Sequence, residues 1–376
     1  MKPNFYKISA FVLAFVLFFS SSCGQQKPKD NQEKSRLKIG AILPLTGSAS
    51  LAGKEAKQGM EIAKEELQKE GIDVDIIYED SQAQSSVSVS AYQKLKDIDK
   101  VNVVVSALSV ATSPLLSLSE RDSMPLVAII SAGGGFTGKS PYIIRFSHTA
   151  ERIVDTQFKN LLINNGYKNI GFIYTNDDYG TSVNGLLADF TKEKGIEMSM
   201  SEPVDFAATD FRTQLTKFIG KKPDALLFTL SSPAAILNLV KQFHELDVKS
   251  DLVEASLTLA DKKSRGEMLT GIKDTNIYTL ALSSTLETTG QDFIKKYQDI
   301  YKEKPYFVAP FGYDTIKLIA KATNGEKMSG KDLVNKILEL KTFDSLNGRV
   351  DIQPNGEINP TLYAAKIVND EPVLVK

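Results

Sequence analysis

Residues 101–136 read VNVVVSALSVATSPLLSLSERDSMPLVAIISAGGGF, and this stretch decides the fold. It contains two apolar runs, 101–107 and 125–130, of the kind that forms parallel strands buried on both faces of a sheet. Between them, residues 109–122 carry leucines at helical spacing, and Ser109 is placed to act as the N-cap. The stretch therefore predicts a strand–helix–strand unit of a parallel sheet.

Small polar residues follow each of these two strands. Ligands of open α/β sheets bind just outside the carboxyl ends of the strands, where a helix N-terminus favours an anion such as a carboxylate. A ligand site is therefore expected here, with the candidate residues Ser109, Thr112, Ser131, Gly133 and Gly135. An ordinary unit with a serine cap and a glycine-rich turn explains the same residues equally well.

The alternation of strand and helix continues on both sides of this stretch. A strand is predicted at 37–43, and a second series of alternating strands and helices begins with a strand at 168–174. The segments KIGAI (38–42) and NIGFI (169–173) resemble each other and occupy the same place in their halves of the chain. The chain is thus expected to form two similar α/β lobes.

The C-terminal segment does not continue the alternation of strands and helices. Residues 348–352 and 361–368 flank Asn355-Gly356, a dipeptide that favours a tight turn between antiparallel strands. The two segments are therefore expected to pair with each other as a hairpin.

Composition and charge exclude several classes of protein. The 376 residues suffice for two domains, and 42% hydrophobic with 24% charged residues is typical of a globular protein with a full core. With a formal net charge of −1, the chain has no excess of positive charge to attract a nucleic acid, so no nucleic-acid partner is expected.

Catalytic and cofactor-binding motifs are absent from the sequence, which contains no G-x-S-x-G elbow and no phosphate-binding P-loop. The two histidines, His148 and His244, have no metal-ligand or triad context and are expected to be surface or packed residues. The chain is therefore expected not to be an enzyme, and to bind no cofactor and no metal.

The N-terminus has the pattern of an export signal. Two lysines precede the apolar run 8–19, which is too short to span a membrane. Three serines then precede Cys23, the only cysteine, in an arrangement that resembles the lipobox of bacterial lipoproteins. We expect 1–22 to be a lipoprotein signal peptide, Cys23 to be lipidated, and 23–36 to be a flexible tether. A plain secretory signal with an incidental cysteine is the alternative.

Five segments, in this order and spacing, resemble the type I periplasmic solute-binding proteins of the branched-chain amino acid branch, the extracytoplasmic receptors of ABC importers. The segments are KIGAILPLTGSASLAGKEAKQGMEIA (38–63), VVVSALSVATSPLL (103–116), PLVAIISAGGG (125–135), IGFIYTNDDYGTS (170–182) and FDSLNGRVDIQPNGE (343–357). The resemblance covers nearly all of the chain after the tether.

The resemblance implies two Rossmann-like lobes with parallel central sheets, joined by three crossovers. The crossovers are placed near 145–149, 279–284 and 340–346. The predicted bounds are 37–147 plus 281–341 for lobe 1, and 148–280 plus 342–376 for lobe 2. The ligand would lie in the cleft between the lobes and would close it, because contacts to both lobes exist only in the closed state.

Three positions match residues that bind the ligand in this family. The resemblance implies that Ser109 binds a carboxylate, that Gly133 donates a backbone N–H, and that Tyr179 lies at the mouth of the second lobe. One position nearby departs from the family, since the threonine that helps to hold the amino acid falls on Gly135.

The partner for a ligand's amino group is missing from its expected place. The family's acidic residue falls on about Ser256, and its aromatic pair falls on Ser231 and Ser232. A buried ammonium without a partner is costly, so another acid takes this role or the ligand is not a standard branched-chain amino acid. The candidate acids are Asp177, Asp178 and Glu254. The candidate apolar walls are Phe307, Phe311 and Phe136, for which core packing is the alternative.

The function expected from the sequence is that of an exported bacterial lipoprotein, anchored on the extracytoplasmic side of a membrane. It would bind an amino acid or small carboxylate as a monomer and deliver it to an ABC permease. Two alternatives keep the fold and change the role. One is a sensory or regulatory binding module, and the other is a cell-envelope platform for protein interactions, which predicts a poor cleft and an exposed apolar patch.

Overall fold

The structure is a computed structural model that describes residues 36–138, 140–261, 269, 275–286 and 288–375. The predicted signal peptide, Cys23 and nearly all of the predicted tether lie outside the described residues. Within those ranges, no helix is long and apolar enough to cross a membrane.

The described strands and helices alternate through most of the chain. The strands are β1 (Leu37–Leu43), β2 (Val74–Asp80), β3 (Val103–Ala107), β4 (Leu126–Ile129), β5 (Ile143–Phe146), β6 (Asn169–Thr175), β7 (Glu197–Val204), β8 (Ala225–Thr229), β9 (Asp251–Glu254), β10 (Ile277–Ala281), β11 (Thr342–Ser345), β12 (Gly348–Asp351), β13 (Glu357–Ile358), β14 (Tyr363–Val368) and β15 (Glu371–Leu374). The helices are α1 (Ser50–Lys69), α2 (Ser85–Asp97), α3 (Ser109–Thr112), α4 (Leu116–Asp122), α5 (Ala150–Ile153), α6 (Asn160–Asn164), α7 (Asp178–Lys194), α8 (Arg212–Lys221), α9 (Pro233–Glu245), α10 (Gln291–Tyr301), α11 (Val308–Thr323) and α12 (Gly330–Glu339).

The first sheet has the spatial order β13-β5-β4-β3-β1-β2, and every neighbouring pair is parallel. Helices cover both of its faces. Val103 and Val105 pack into the cluster that contains residues of α1 and α11, whereas Val104 packs against residues of α2. The valine run of β3 is therefore fully buried, as expected of a central parallel strand.

The second sheet has the order β15-β14-β10-β9-β8-β6-β7. Its strands from β10 to β7 are parallel, and β14 and β15 extend it as antiparallel edge strands. The sheet and its helices form the second lobe, and the first sheet with its helices forms the first lobe. The predicted α/β fold, with two lobes around parallel central sheets, is confirmed.

Two strand pairings in the C-terminal segment differ from the predictions. The β11–β12 hairpin turns at Leu346-Asn347, and β14 pairs with β10 and β15, so the predicted pairing of 348–352 with 361–368 is wrong. The chain does turn tightly at Asn355-Gly356, where Ile352 and Ile358 form an antiparallel bridge. In addition, β13 joins the first sheet beside β5, although the predicted bounds gave all of 342–376 to the second lobe. The buried ion pair between Arg145 of β5 and Glu357 of β13 explains this pairing.

The helix predicted over 109–122 is interrupted. It consists of α3, a 3-10 turn at Ser113–Leu115, and α4. Pro114 accounts for the interruption because it lacks a backbone N–H and its ring crowds the preceding turn. Ser109 is the first helical residue rather than the N-cap, which is Leu108 at a φ of +72°.

Candidate ligand-binding site

The candidate site is a cleft between loops that follow strands of the two sheets. The first lobe contributes Leu108, Ser109 and Val110 after β3, and Ile130 and Ala132 after β4. The second lobe contributes Asp177 and Tyr179 after β6, Leu230 and Ser231 after β8, and Ser256, Leu257 and Thr258 after β9. The cavity volume of the cleft is about 70 Å³.

The structure brings five of the nine predicted ligand-binding residues to this cleft. These are Ser109, Tyr179, Ser231, Ser256 and Phe307. The other four, Thr112, Ser131, Gly133 and Gly135, do not line it. The predicted set therefore contains residues that line the cleft and residues that lie behind its wall.

Ser109 faces the cleft and is tied to the turn that follows β4. Its Oγ accepts a hydrogen bond from the backbone N–H of Gly133 over 3.0 Å. The Gly133 N–H predicted to hold the ligand thus supports Ser109 instead. The Ser109 hydroxyl keeps its own proton, which it can donate to a carboxylate.

Behind Ser109, buried hydroxyls bond to one another. Thr112 Oγ1 donates to Ser106 Oγ over 2.8 Å, and Ser131 Oγ contacts Thr112 Oγ1 over 3.2 Å. Thr112 and Ser131 are fully buried, so these bonds fix the ends of β3 and β4 rather than reach a ligand. Gly135 adopts a φ of +74° and serves the tight turn after β4.

Arg145 holds the glycine-rich turn from the other side. Its Nη1 donates to the carbonyl oxygen of Gly133, and its Nε donates to Glu357 Oε2 over 2.9 Å. The Thr137 hydroxyl donates to the same carboxylate. Because Arg145 and Glu357 are both buried, this pair provides a rigid support for the wall that carries Ser109.

Asp177 brings a carboxylate to the second-lobe wall. It caps α7, accepting from the backbone N–H of Gly180 over 2.8 Å, and Ser231 Oγ donates to it over 2.5 Å. Burial raises the pKa of Asp177, while these hydrogen bonds act in the opposite direction. Among the described residues that line the cleft, none is Lys or Arg. The carboxylate therefore faces the cleft without a cation.

Glu254 is fully buried and does not line the cleft. Its carboxylate accepts from Leu259 N over 2.9 Å, Thr258 N over 3.2 Å and Thr279 Oγ1 over 2.5 Å, and also from Ser256 Oγ. Burial raises the pKa of Glu254. Glu254 thus shapes the loop after β9, and Asp178 is exposed at the surface. Of the three candidate acids, Asp177 alone lines the cleft.

Tyr179 and Phe307 form part of the cleft wall. The Tyr179 hydroxyl donates to the backbone oxygen of Ala255, and burial raises the pKa of this tyrosine. Phe307 packs edge-on against Tyr306, with 4.3 Å between the ring centroids. The other two candidate phenylalanines, Phe136 and Phe311, are fully buried core residues and do not line the cleft.

Three polar residues that line the cleft were not predicted from the sequence: His148, Thr258 and Tyr306. The Tyr306 hydroxyl lies 3.1 Å from Thr258 Oγ1, and these two residues come from different lobes. His148, expected to be an ordinary packed or surface residue, lies in the first crossover between the lobes. Its place at a crossover was the signal that could have found it, because crossovers border an interlobe cleft.

His148 is 7% exposed, and its Nδ1 is buried without a hydrogen-bond partner. Burial, together with the nearby charge of Arg145, lowers the pKa of His148 to about 4. The imidazole is therefore neutral at physiological pH, with one nitrogen as donor and the other as acceptor.

Metal binding finds no support in the described ranges, where no group of three or more His, Cys, Asp or Glu side chains could hold an ion. What the site offers is hydroxyls, one carboxylate, one imidazole and apolar walls. This arrangement can bind a small molecule.

Comparison with known proteins agrees with this geometry. A family model described as a periplasmic binding protein matches residues 36–372. The Leu/Ile/Val-binding protein homolog 6 of Brucella suis biovar 1 (strain 1330) is 24% identical over 352 residues, covering 88% of this chain and 87% of the relative.

Solved structures share the fold. LivJ, a branched-chain amino acid transporter substrate binding protein from Streptococcus pneumoniae str. Canada MDR_19A in complex with isoleucine, has a TM-score of 0.77 at 20% identity, covering 90% of this chain and 100% of LivJ. An ABC transporter solute binding protein from R. palustris in complex with benzoate has a TM-score of 0.79 at 20% identity, covering 90% and 95% of the two chains.

The fold and the family match define a periplasmic binding protein. The chain belongs to the periplasmic binding protein family, and the resemblance drawn from the sequence is confirmed. This family is extracytoplasmic, and its members bind substrates rather than convert them. The expectation that the chain is not an enzyme is therefore confirmed.

Proposed function

We propose that the chain is the substrate-binding lipoprotein of an ABC importer, which captures an amino acid or small organic anion in the interlobe cleft and closes on it. The observation that carries this proposal is that side chains from both lobes line one cleft, with Ser109 on one wall and Asp177 on the other. A ligand that contacts both walls stabilises the closed state over the open one.

Direct contacts between the lobes support a closing motion. The backbone N–H of Gly134, after β4, donates to Ser182 Oγ of α7 over 3.1 Å. A Cβ atom at Gly133 would lie 3.2 Å from the Cβ of Asp178, so the turn packs closely against α7. These contacts form where the two lobes meet and would separate when the cleft opens.

The chemistry of the cleft favours a small molecule that joins a charged end to an apolar body. The Ser109 hydroxyl suits a carboxylate, and Asp177 suits an ammonium group. Leu108, Leu230 and Ile236 supply apolar surface. Leucine, isoleucine, valine and benzoate, which the names of the relatives and neighbours mention, all combine a carboxylate with an apolar body.

The remaining parts of the proposal rest on the predictions made from the sequence. Cys23 carries the lipid that anchors the exported chain, 23–36 is the tether, and the lobes have the predicted bounds, except that β13 belongs to the first lobe. The chain acts as a monomer, and its protein partner is an ABC permease.

A thermal-shift screen of the full-length chain in mild detergent tests ligand binding. The protein is first partly unfolded and refolded to remove carried ligand, and then mixed with amino acids, short carboxylates and aromatic acids. A rise of several degrees for one class of compound is expected, because a ligand that binds only the folded state stabilises it. No shift for any compound would contradict the proposal.

Metabolic labelling with a fatty acid tests the anchor. Label should appear on the wild-type chain and be absent from Cys23→Ala. Equal labelling of both would contradict lipidation at Cys23.

A further inference from the structure

His148 stands out among the polar groups of the cleft because its Nδ1 lacks a partner. It lines the cleft and is buried, in the crossover that follows β5. A buried polar atom without a hydrogen bond is rare in folded proteins, and each case asks for an explanation.

The other polar side chains of the cleft already have protein partners. Asp177 is bonded to Ser231, Ser256 donates to Glu254, and Tyr179 donates to the backbone oxygen of Ala255. Ser109 accepts from Gly133, and Thr258 is bonded to Tyr306. His148 therefore differs from its neighbours, because the described protein supplies nothing to its Nδ1.

We propose that His148 is a specificity residue, which hydrogen-bonds a neutral polar group of the ligand such as a hydroxyl or an amide. This inference rests on the proposed function and refines its substrate class. The ligand would be an amino acid or carboxylic acid that carries a neutral hydrogen-bonding group in addition to its charged end.

The physical reason is that a hydrogen bond left unmade in a closed site costs more free energy than a hydrogen bond that is made contributes. A ligand with a methyl group against His148 leaves the imidazole unpaired and desolvated, whereas a hydroxyl or amide of the same size satisfies it. The neutral ring can act as donor or acceptor, so it accepts either kind of group.

The experiment measures affinities for isosteric pairs by calorimetry, with the full-length chain in mild detergent. The pairs are valine and threonine, leucine and asparagine, and 4-methylbenzoate and 4-hydroxybenzoate. The variants are His148→Leu, which removes the polar ring, and His148→Asn, whose side-chain amide places a polar atom near the position of Nδ1. His244→Leu, on the exposed face of α9, is the matched control.

For the pair that binds, the wild type should prefer the polar member by about 10-fold or more. His148→Leu should abolish or reverse this preference while it still binds the apolar member, His148→Asn should retain part of it, and His244→Leu should change nothing. Thermal unfolding of each variant identifies any that fails to fold, and His148→Asn then supplies the comparison.

Two results would overturn the inference, and they are distinguishable. In the first result, the wild type binds the apolar and the polar member with equal affinity, and His148→Leu does the same. This result would show that His148 does not recognise the ligand and that water satisfies its Nδ1. The proposed function would survive that result. No binding by any compound would contradict the proposed function and the inference together.

Discussion

Gly134 and Ser182 join the two lobes directly, since the backbone N–H of Gly134 donates to Ser182 Oγ across 3.1 Å. The same Oγ donates to the backbone oxygen of Asp178 over 2.6 Å, one turn earlier in α7. The bond therefore connects the glycine-rich turn of the first lobe to the first turns of the helix that Asp177 caps. We expect this bond to break when the cleft opens.

Removal of this bond should weaken ligand binding. We expect Ser182→Ala to lower affinity by about 2- to 10-fold, because a closed-state hydrogen bond is lost, and to leave the unfolding temperature of the ligand-free chain nearly unchanged. Calorimetric titration measures the affinity. Ser90→Ala is the control, since Ser90 makes the same bond to the preceding turn on an exposed face of α2. Equal effects of the two variants would exclude a role for Ser182 in closure.

Asp177 has two roles that substitution can separate. Asp177→Asn keeps a capping oxygen for α7, so its stability should stay close to that of the wild type. Asp177→Ala loses the cap and should be destabilised by about 1 kcal/mol, as measured by urea unfolding. If Asp177 pairs with a ligand ammonium, both variants should bind an amino acid at least 10-fold more weakly. Unchanged affinity in Asp177→Asn would show that no ammonium lies there.

The Arg145–Glu357 pair should matter more for stability than any exposed ion pair. Glu357→Ala leaves the buried Arg145 guanidinium without its partner, so we expect a loss of about 3–5 kcal/mol in the free energy of unfolding. The control is Glu193→Ala, which breaks an exposed pair with Lys194 and should have little effect. Similar denaturation midpoints for the two variants would contradict a structural role for the buried pair.

Asp314 should make stability depend on pH. It lies on α11 and accepts from Leu346 N over 3.0 Å and from Ser345 Oγ over 2.7 Å, next to the β11–β12 hairpin. Burial raises the pKa of Asp314 to about 7, from an ordinary value of 3.8. Between these two pKa values, Asp314 is protonated in the folded state and ionised in the unfolded chain. The contribution of Asp314 to stability is therefore complete below pH 3.8 and is lost as the pH rises through 7.

Asp314→Asn should remove this dependence. Relative to the wild type, the variant should gain stability between pH 5 and pH 8, measured by urea unfolding at several pH values. The measured quantity is the difference in the free energy of unfolding between the two proteins at each pH. This difference cancels the effect of His148, whose pKa is lowered from 6.5 to about 4 and which therefore makes stability rise with pH in that range. A constant difference across this range would contradict the raised pKa of Asp314.

The sequence predicted the parallel sheets and the position of the cleft because both depend on local patterns. The valine run of β3 could be buried only between two layers of helices, and the small residues after β3 and β4 had to lie at the carboxyl edge of the sheet. Ser109 was found in this way, whereas Ser231 was named because the resemblance places the family's aromatic pair at 231 and 232.

Side-chain direction and long-range pairing could not be predicted in the same way. Ser256 lines the cleft, yet its hydroxyl is directed to Glu254, a contact that depends on the shape of the loop after β9. The pairing of β13 with β5 depends on a buried ion pair between residues 212 positions apart. His148 looked ordinary because its missing partner is a property of the folded cleft, and no local pattern records it.

The most direct test of the account is a crystal structure of the chain with the compound that the thermal-shift screen selects. The account predicts that the compound lies between the lobes, with its carboxylate within hydrogen-bonding distance of Ser109 Oγ and with contacts to Tyr179 and Ser231 on the opposite wall. A compound bound at another surface, with this cleft open and filled only by water, would contradict it.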